Sequence, residues 1–179
     1  MRKLKITVGV TGTIGSLDIH NYILYLQSFS DVSVIITEEA EKFIKIEAIK
    51  KINENVYSSM WDQRGIPHTY LGRDADVLII FPASANSISK ISHGFADNLL
   101  CATALNYTGK ILFAPNMNDD MWNNPILQDN IKYLENKGHI FVNKSKEAYV
   151  ACRAEFEEID AGLPNPKELT KYIYDILKS

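Results

Sequence analysis

The chain has 179 residues, of which 46% are hydrophobic and 23% charged, and its formal net charge is −3. These values suit one globular domain with a full core. The sequence has no basic stripe and no run of the roughly 20 apolar residues that a membrane-spanning helix needs, so we expect no nucleic-acid partner and no membrane partner.

The first part of the chain predicts two buried strands, each followed by a helical segment. Residues 5–10 and 32–37 read as short apolar strands. A glycine-containing turn and a helix with apolar residues at helical spacing lie between them. Residues 38–44 are predicted to be helical, with a weaker helical pattern to residue 52. Residues 57–72 are predicted to be irregular.

The second part of the chain continues the alternation of strands and helices. Residues 77–81, 111–114 and 139–142 predict the third, fourth and fifth strands. This alternation predicts an α/β fold, a single Rossmann-like (flavodoxin-like) domain over residues 1–179 with a parallel sheet and helices on both faces. Residues 144–164 are the least regular segment, and we interpret them as a candidate substrate flap.

A short helical stretch that leads to Gly94 and then three helices are predicted after the third strand. One spans about residues 95–105, and the other two have recognisable start or stop signals. One kind of signal is a capping residue, a proline at the first helical position and a glycine just past the end. The other is a capping box at the start of the helix. These signals are Asn124, Pro125 and Gly138 for the helix after the fourth strand, and Asn165, Pro166 and Glu168 for the last one.

The two cysteines and the amino-terminal residues indicate in which cellular compartment the protein is expected. Cys101 and Cys152 form no CxxC pair, and we expect a reduced, cytoplasmic protein, with a disulfide between them as the alternative. The apolar run at residues 6–10 is too short for a secretory signal and contains a glycine, so we expect no signal peptide.

Two polar loops follow the third and fourth strands directly. The first reads Pro-Ala-Ser-Ala-Asn-Ser (82–87), and the second reads Pro-Asn-Met-Asn (115–118). Ligands bind at the carboxyl ends of parallel strands, so these loops predict a site built mainly from hydrogen bonds. An amide such as that of Asn118 can hold a carboxylate without a strong ion pair, which suits an enzyme that releases CO2. Helix capping is the alternative for Asn86 and Asn118.

The turn after the first strand is a second candidate site. Glycines at positions 9, 12 and 15 do not match the GxGxxG fingerprint. A strand, glycine turn and helix nevertheless form a phosphate site, with a plain tight turn as the alternative. Thr37 would add a hydroxyl there or cap a helix. His68 suits proton transfer because imidazole titrates near neutrality, whereas a structural role is its alternative. The other histidines lack metal-ligand spacing, and we expect no metal site.

Together these motifs resemble those of the flavin-dependent cysteine decarboxylases. PASANS resembles the PASANT signature of that family, and residues 115–122 match its PxMNxxMW signature. Residues 94–100 resemble the GxxDNLL segment between the two signatures. His68 matches the catalytic histidine of the family in placement and spacing.

The resemblance implies an FMN cofactor, with FAD as the alternative, and homotrimers assembled into a homododecamer with active sites between neighbouring subunits. His68 and Asn118 would be catalytic, His68 as the acid–base residue and Asn118 by binding the substrate carboxylate. The implied cofactor contacts are Gly12, Thr13, Ile14, Thr37, Glu38, Ser84, Ala85, Asn86, Ser87 and Asn116. The implied substrate contacts are Asn118, Met121, Tyr149, Val150, Ala151 and Cys152.

The implied reaction is oxidation of a cysteine side chain by the flavin, followed by loss of CO2 to give an enethiol. The lantibiotic-type branch acts on the C-terminal cysteine of a ribosomally made precursor peptide, and Pro-Asn-Met-Asn and residues 11–43 favour this branch. The alternative is phosphopantothenoylcysteine decarboxylase of coenzyme A biosynthesis, in which a late cysteine protonates the enethiol. Cys152 lies at that point of the chain but precedes Arg-Ala instead of Gly-Asp, and an incidental thiol is its alternative. A non-catalytic flavin-binding or regulatory relative is the third interpretation.

Overall fold

A six-stranded parallel sheet lies at the centre of the computed structural model, which describes residues 2–61, 65–150 and 153–178 except for the side chain of Lys146. The strand order is β3-β2-β1-β4-β5-β6, and every neighbouring pair is parallel. This is the doubly wound order of Rossmann-like folds, and it confirms the predicted fold class. The strands are β1 (Leu4–Val10), β2 (Ser30–Ile36), β3 (Val56–Tyr57), β4 (Val77–Ala83), β5 (Ile111–Pro115) and β6 (Ile140–Phe141).

Helices cover both faces of this sheet. The helices are α1 (Ile19–Gln27), α2 (Ile46–Lys50), α3 (Pro67–Arg73), α4 (Ala85–Ser92), α5 (Leu99–Asn106), α6 (Asp119–Trp122), α7 (Pro125–Asn136) and α8 (Pro166–Lys178). The core on one face takes its helical residues from α1, α2 and α8, and the core on the other takes them from α3, α4, α5 and α7. Within the described ranges, no helix is long and apolar enough to cross a membrane.

The central strand β4 shows why its sequence is apolar at every position. Successive side chains of a strand point to opposite faces of the sheet. Val77, Ile79 and Phe81 therefore enter one core, whereas Leu78 and Ile80 enter the other. All five side chains are buried, which explains why a continuous apolar run predicted this strand correctly.

The segment predicted to be the least regular is instead an antiparallel hairpin. Its strands are β7 (Lys144–Val150) and β8 (Glu155–Gly162), and β8 packs against β5 and α6. The prediction was wrong because a two-stranded sheet with many exposed side chains has no strong apolar alternation: β8 reads Glu-Phe-Glu-Glu-Ile-Asp-Ala-Gly.

Three other predicted elements differ from the structure. Residues 38–44 contain only a 3-10 turn at Ala40–Lys42, and α2 begins later, at Ile46. The region predicted to be irregular holds β3 and then α3, which starts at a proline and contains His68. The helix predicted from residue 95 begins at Leu99, because Asn98 caps it by accepting the N–H of Cys101 at 2.9 Å.

The capping signals of the last two helices are confirmed. Asn124 accepts the N–H of Ile126 at 3.0 Å at the start of α7, and Gly138 has a positive φ of 92° just past its end. Asn165 accepts the N–H of Glu168 at 3.0 Å, and Glu168 accepts the N–H of Asn165 at 3.0 Å. This reciprocal pair is the capping box that the sequence predicted for α8.

Candidate functional site

A cavity of about 460 Å³ lies where the strand order reverses between β1 and β4. Loops that follow β1, β4 and β5 meet there, and this crevice is where ligands bind in doubly wound folds. The hairpin β7–β8 forms a further wall. The described lining residues are Gly12, Thr13, Ile14, Gly15, Leu17, Asp18, Tyr22, Phe43, Ser84, Ala85, Asn116, Met117, Asn118, Met121, Ala148, Tyr149, Val150, Ile159 and Leu163.

One buried threonine joins the loop after β1 to the loop after β4. The hydroxyl of Thr11 donates to the carbonyl of Pro82 at 2.7 Å and accepts the N–H of Ser84 at 2.8 Å. The carbonyl of Thr11 accepts the hydroxyl of Ser16 at 2.7 Å. Since Thr11 is 1% exposed, these bonds are shielded from water, and they hold the two loops in one arrangement.

Two glycines of the first loop allow close approaches that a side chain would prevent. A Cβ atom on Gly12 would lie 2.5 Å from the Cβ of Glu39. A Cβ atom on Gly15 would lie 2.6 Å from Cδ1 of Leu163 and 2.7 Å from Oδ1 of Asn116. The N–H of Gly15 also donates to that Oδ1 at 3.0 Å. The loop after β1 is therefore packed directly on the loop after β5.

Thr13 offers a polar group to a ligand. It precedes the 3-10 turn Ile14–Asp18, but its side chain makes no capping hydrogen bond. Its hydroxyl oxygen is buried and has no hydrogen-bond partner among the described residues. A buried hydroxyl without a partner is costly, and Thr13 lines the cavity, so a bound acceptor or donor would satisfy it.

The loop after β4 leads into helix α4, whose amino end lies at the cavity. Ser84 caps this helix by accepting the N–H of Ser87 at 3.3 Å, and both Ser84 and Ala85 line the cavity. The positive end of the helix dipole therefore faces the cavity. Asn86 and Ser87 do not line it: Asn86 is exposed, and Ser87 is buried in the first turn. Ser84, and not Asn86, is the capping residue.

The loop after β5 places two amides at the cavity. Asn116 is buried and uses Oδ1 to accept the N–H of Gly15. Asn118 caps α6, because its Oδ1 accepts the N–H of Met121 at 2.9 Å. Both asparagines and Met121 line the cavity, and the cofactor and substrate contacts assigned to them remain predictions. Asn118 therefore both caps a helix, which was the alternative for it, and lines the cavity.

The hairpin supplies the predicted residues Tyr149 and Val150 to the cavity wall. Tyr149 faces Phe156 across the two strands, with ring centroids 5.5 Å apart. Phe156 remains 68% exposed, so an apolar surface continues from the cavity along the hairpin. Ala151 and Cys152, the remaining predicted substrate contacts, lie outside the described residues.

Several lining residues were missed by sequence reasoning, and Tyr22 is the clearest case. It lies on the buried side of α1, and its hydroxyl donates to the carbonyl of Pro164 at 3.0 Å. Burial, together with the nearby carboxylates of Asp18 and Glu168, raises the pKa of Tyr22 to about 12. Its helical spacing indicated a core position only. Leu163, Phe43 and Leu17 reach the cavity through chain folding that no local pattern signals.

Two predicted cofactor contacts and the predicted acid–base residue lie elsewhere in this chain. Thr37 and Glu38 line a separate cavity of about 210 Å³ beyond β2 and β3, and the Thr37 hydroxyl accepts the N–H of Ala40 at 3.3 Å. His68 lies on α3, which packs on the opposite face of the sheet from α1. Its Nδ1 is buried and has no hydrogen-bond partner among the described residues. The roles assigned to all three remain predictions.

A flavin, the cofactor that the resemblance implies, fits the hydrogen-bonding groups of the cavity between β1 and β4. The unpartnered hydroxyl of Thr13 and the amino end of α4 suit a phosphate or a ring carbonyl. Methionine and aromatic side chains offer an apolar wall for a ring system. Among the residues that the structure describes, no group of three or more histidine, cysteine or acidic side chains could hold a metal ion.

Residues 1–178 match the family described as Flavoprotein. Mersacidin decarboxylase from Bacillus sp. (strain HIL-Y85/54728) is 35% identical over 144 residues, which are 79% of this chain and 74% of the relative. A probable phosphopantothenoylcysteine decarboxylase from Streptococcus mutans is 34% identical over 155 residues, 83% of this chain and 86% of the relative. Both branches considered from the sequence are therefore represented among the relatives.

Solved structures agree with this assignment. EpiD in complex with the substrate peptide DSYTC has a TM-score of 0.89 at 25% identity, covering 97% of this chain and 99% of that one. SpaF, described as one of the FMN-dependent cysteine decarboxylases, has a TM-score of 0.79 at 25% identity, covering 98% and 95%. The chain therefore belongs to the Flavoprotein family, and within it to the flavin-dependent cysteine decarboxylases.

Proposed function

We propose that the protein catalyses the oxidative decarboxylation of the C-terminal cysteine of a ribosomally made precursor peptide, as in lantibiotic biosynthesis, and releases an aminoenethiol. The observation that carries this proposal is the lining of the cavity between β1 and β4. Among its described residues there is no lysine, arginine or histidine, whereas the amides of Asn116 and Asn118 are present. A carboxylate held by neutral donors can leave as CO2 more readily than one stabilised by an ion pair.

FMN is the flavin that we propose. Gly12, Thr13 and Ile14 would hold it together with Ser84, Ala85 and Asn116, which line the same cavity. When bound, the cofactor supplies an acceptor for the hydride that leaves the cysteine side chain. The apolar wall of the hairpin would exclude water from the reacting atoms. SpaF, one of the FMN-dependent cysteine decarboxylases, supports FMN by analogy.

Asn118 would bind the substrate carboxylate through its amide N–H groups, since its Oδ1 already accepts the N–H of Met121. The substrate peptide of the EpiD complex supports a peptide that ends in cysteine. Tyr149, Val150 and the rest of the hairpin would contact the residues that precede this cysteine. Because such precursor peptides are made by ribosomes, we place the reaction in the cytoplasm.

His68 would act as the acid–base residue in the active site of a neighbouring subunit. It does not line the cavity of its own chain, and its buried Nδ1 has no partner among the described residues. A homotrimer, assembled further into a homododecamer, would bring this side chain to a neighbouring cavity. We therefore propose that a single copy of the chain lacks a complete site.

The test is to incubate the flavin-loaded protein separately with a cysteine-terminated peptide and with phosphopantothenoylcysteine. The proposal expects loss of CO2 and two hydrogens from the peptide, with bleaching of the flavin absorption in the absence of oxygen. Loss of CO2 alone from the second substrate would instead support the coenzyme A branch. In that case the Cys152→Ser variant should fail to form the saturated product. The relative from Streptococcus mutans supports this second function by analogy.

A His68→Asn variant should decarboxylate the peptide about 100-fold more slowly or worse, which is the usual contribution of a positioned acid–base group. His20 is exposed on α1 and makes a matched control, since His20→Asn should leave the rate unchanged. Product formation is followed by mass spectrometry at saturating peptide. A His68→Asn protein with the wild-type rate would contradict the role of this histidine.

A further inference from the structure

Strand β8 contains a bulge next to the cavity. The register pairs Lys144 with Gly162 and Lys146 with Ile159, so Ser145 alone faces both Asp160 and Ala161. An extra residue in one strand of an antiparallel pair leaves backbone groups without their ladder partners. The backbone N–H and carbonyl groups concerned here belong to Asp160. This residue directly follows Ile159, and Ile159 lines the cavity.

Two side chains from outside the hairpin strands take the place of the missing ladder partners. The N–H of Asp160 donates to Oδ1 of Asp119 at 3.2 Å. The carbonyl of Asp160 accepts Nδ2 of Asn143 at 3.0 Å. Asp160 is therefore held from both sides, and the bulge is attached to α6 through Asp119.

Asp119 connects this bulge to the loop that carries Asn118. The two residues are adjacent, Asn118 caps α6, and Asp119 is the first residue of that helix. A second contact, between Arg153 and Asp120 at 3.6 Å, is formed by exposed side chains and is screened by solvent. The hydrogen bond from Asp160 to the half-buried Asp119 is therefore the better-defined connection.

We propose that Asp119 is a positioning residue, which sets the distance between the hairpin wall and the Asn118 loop through the backbone of Asp160. The proposal rests on the proposed function, because the peptide would bind between these two walls. Without the bond, Ile159 and its neighbours lose their fixed place against the cavity. The peptide then binds more weakly, whereas the groups at the reacting atoms stay in place.

The prediction is a change in KM with little change in kcat. Asp119→Ala should raise the KM for a cysteine-terminated peptide about fivefold to tenfold and keep kcat within about twofold, as expected from loss of one partly exposed hydrogen bond to a charged group. Asp119→Asn keeps an oxygen acceptor and should restore the wild-type KM. Asp120→Ala removes the neighbouring carboxylate and should leave KM unchanged.

Hydrogen exchange of residues 155–162 in the flavin-loaded protein without peptide gives a second readout. Exchange should be faster in Asp119→Ala than in the wild type, Asp119→Asn and Asp120→Ala. The proposal is overturned if exchange in Asp119→Ala equals that of the wild type, or if Asp119→Asn behaves as Asp119→Ala does. If the wild type turns over no peptide, the proposed function fails, and the exchange measurement still decides whether Asp119 holds the hairpin.

Discussion

Thr11→Val should destabilise the protein although the two side chains have nearly the same shape. The substitution removes the hydroxyl that donates to Pro82 and accepts from Ser84 at 2.7 and 2.8 Å. It leaves the Pro82 carbonyl and the Ser84 N–H without their partner in an interior where Thr11 is 1% exposed. Each unsatisfied buried group costs about 1–3 kcal/mol, so for these two groups we expect the free energy of unfolding to fall by about 2–6 kcal/mol.

Urea unfolding at neutral pH and matched protein concentration measures this loss. Thr11→Ser is the control, because it keeps the hydroxyl and deletes one methyl group, at a cost of about 1 kcal/mol. Flavin affinity should also fall in Thr11→Val, since the hydroxyl joins two loops that line the cavity. Equal stability of the Val and Ser variants would refute the reasoning that the hydroxyl, and not its shape, holds the loops together.

Two further predictions concern flavin binding and pH. Gly15→Ala should raise the flavin dissociation constant about tenfold, because a Cβ there would lie 2.7 Å from Oδ1 of Asn116 and overpacking costs at least about 1 kcal/mol; an unchanged constant in a fluorescence titration would contradict this. The Nδ1 of His139 accepts the N–H of Ile111 at 3.1 Å, and burial lowers the pKa of His139 below its ordinary value of 6.5. The unfolded chain therefore binds this proton first, and the stabilisation is present above pH 6.5 and lost as the pH falls below it. His139→Asn should reduce the dependence of the urea midpoint on pH in this range, whereas a parallel pH profile would show that His139 does not contribute.

The local sequence predicted the elements that are stabilised either by burial on both faces or by hydrogen bonds between residues close in the chain. The strands β1, β4 and β5 are buried on both faces, so a continuous apolar run indicates them. Capping at Asn124 and Asn165 involves residues only a few positions apart, and the structure contains both caps. The same reasoning could not find β3, which has two residues, or the hairpin, whose exposed side chains are mostly polar.

The position of the site could be predicted in part for a similar reason. Parallel strands end at the same edge of a sheet, so polar loops after two neighbouring strands must meet. Ser84, Asn116 and Asn118 therefore reach one cavity, as their positions in the sequence indicated. Tyr22 and Leu163 could not be assigned to it, because α1 and the end of the hairpin are brought there by packing between distant segments.

The sequence by itself determined the alternation of the main sheet strands with helices, the two asparagine loops and the membership in a decarboxylase family, because these depend on residue types at short spacing. Only the tertiary structure decided which loop side chains face the cavity. It placed Thr37 beside a second cavity, and it placed His68 on the face of the sheet opposite to α1. It also attached the hairpin to α6 through Asp119. Such contacts join residues far apart in the sequence, as Tyr22 and Pro164 are at a separation of 142 positions, and their free energies depend on burial and geometry that no short stretch of sequence specifies.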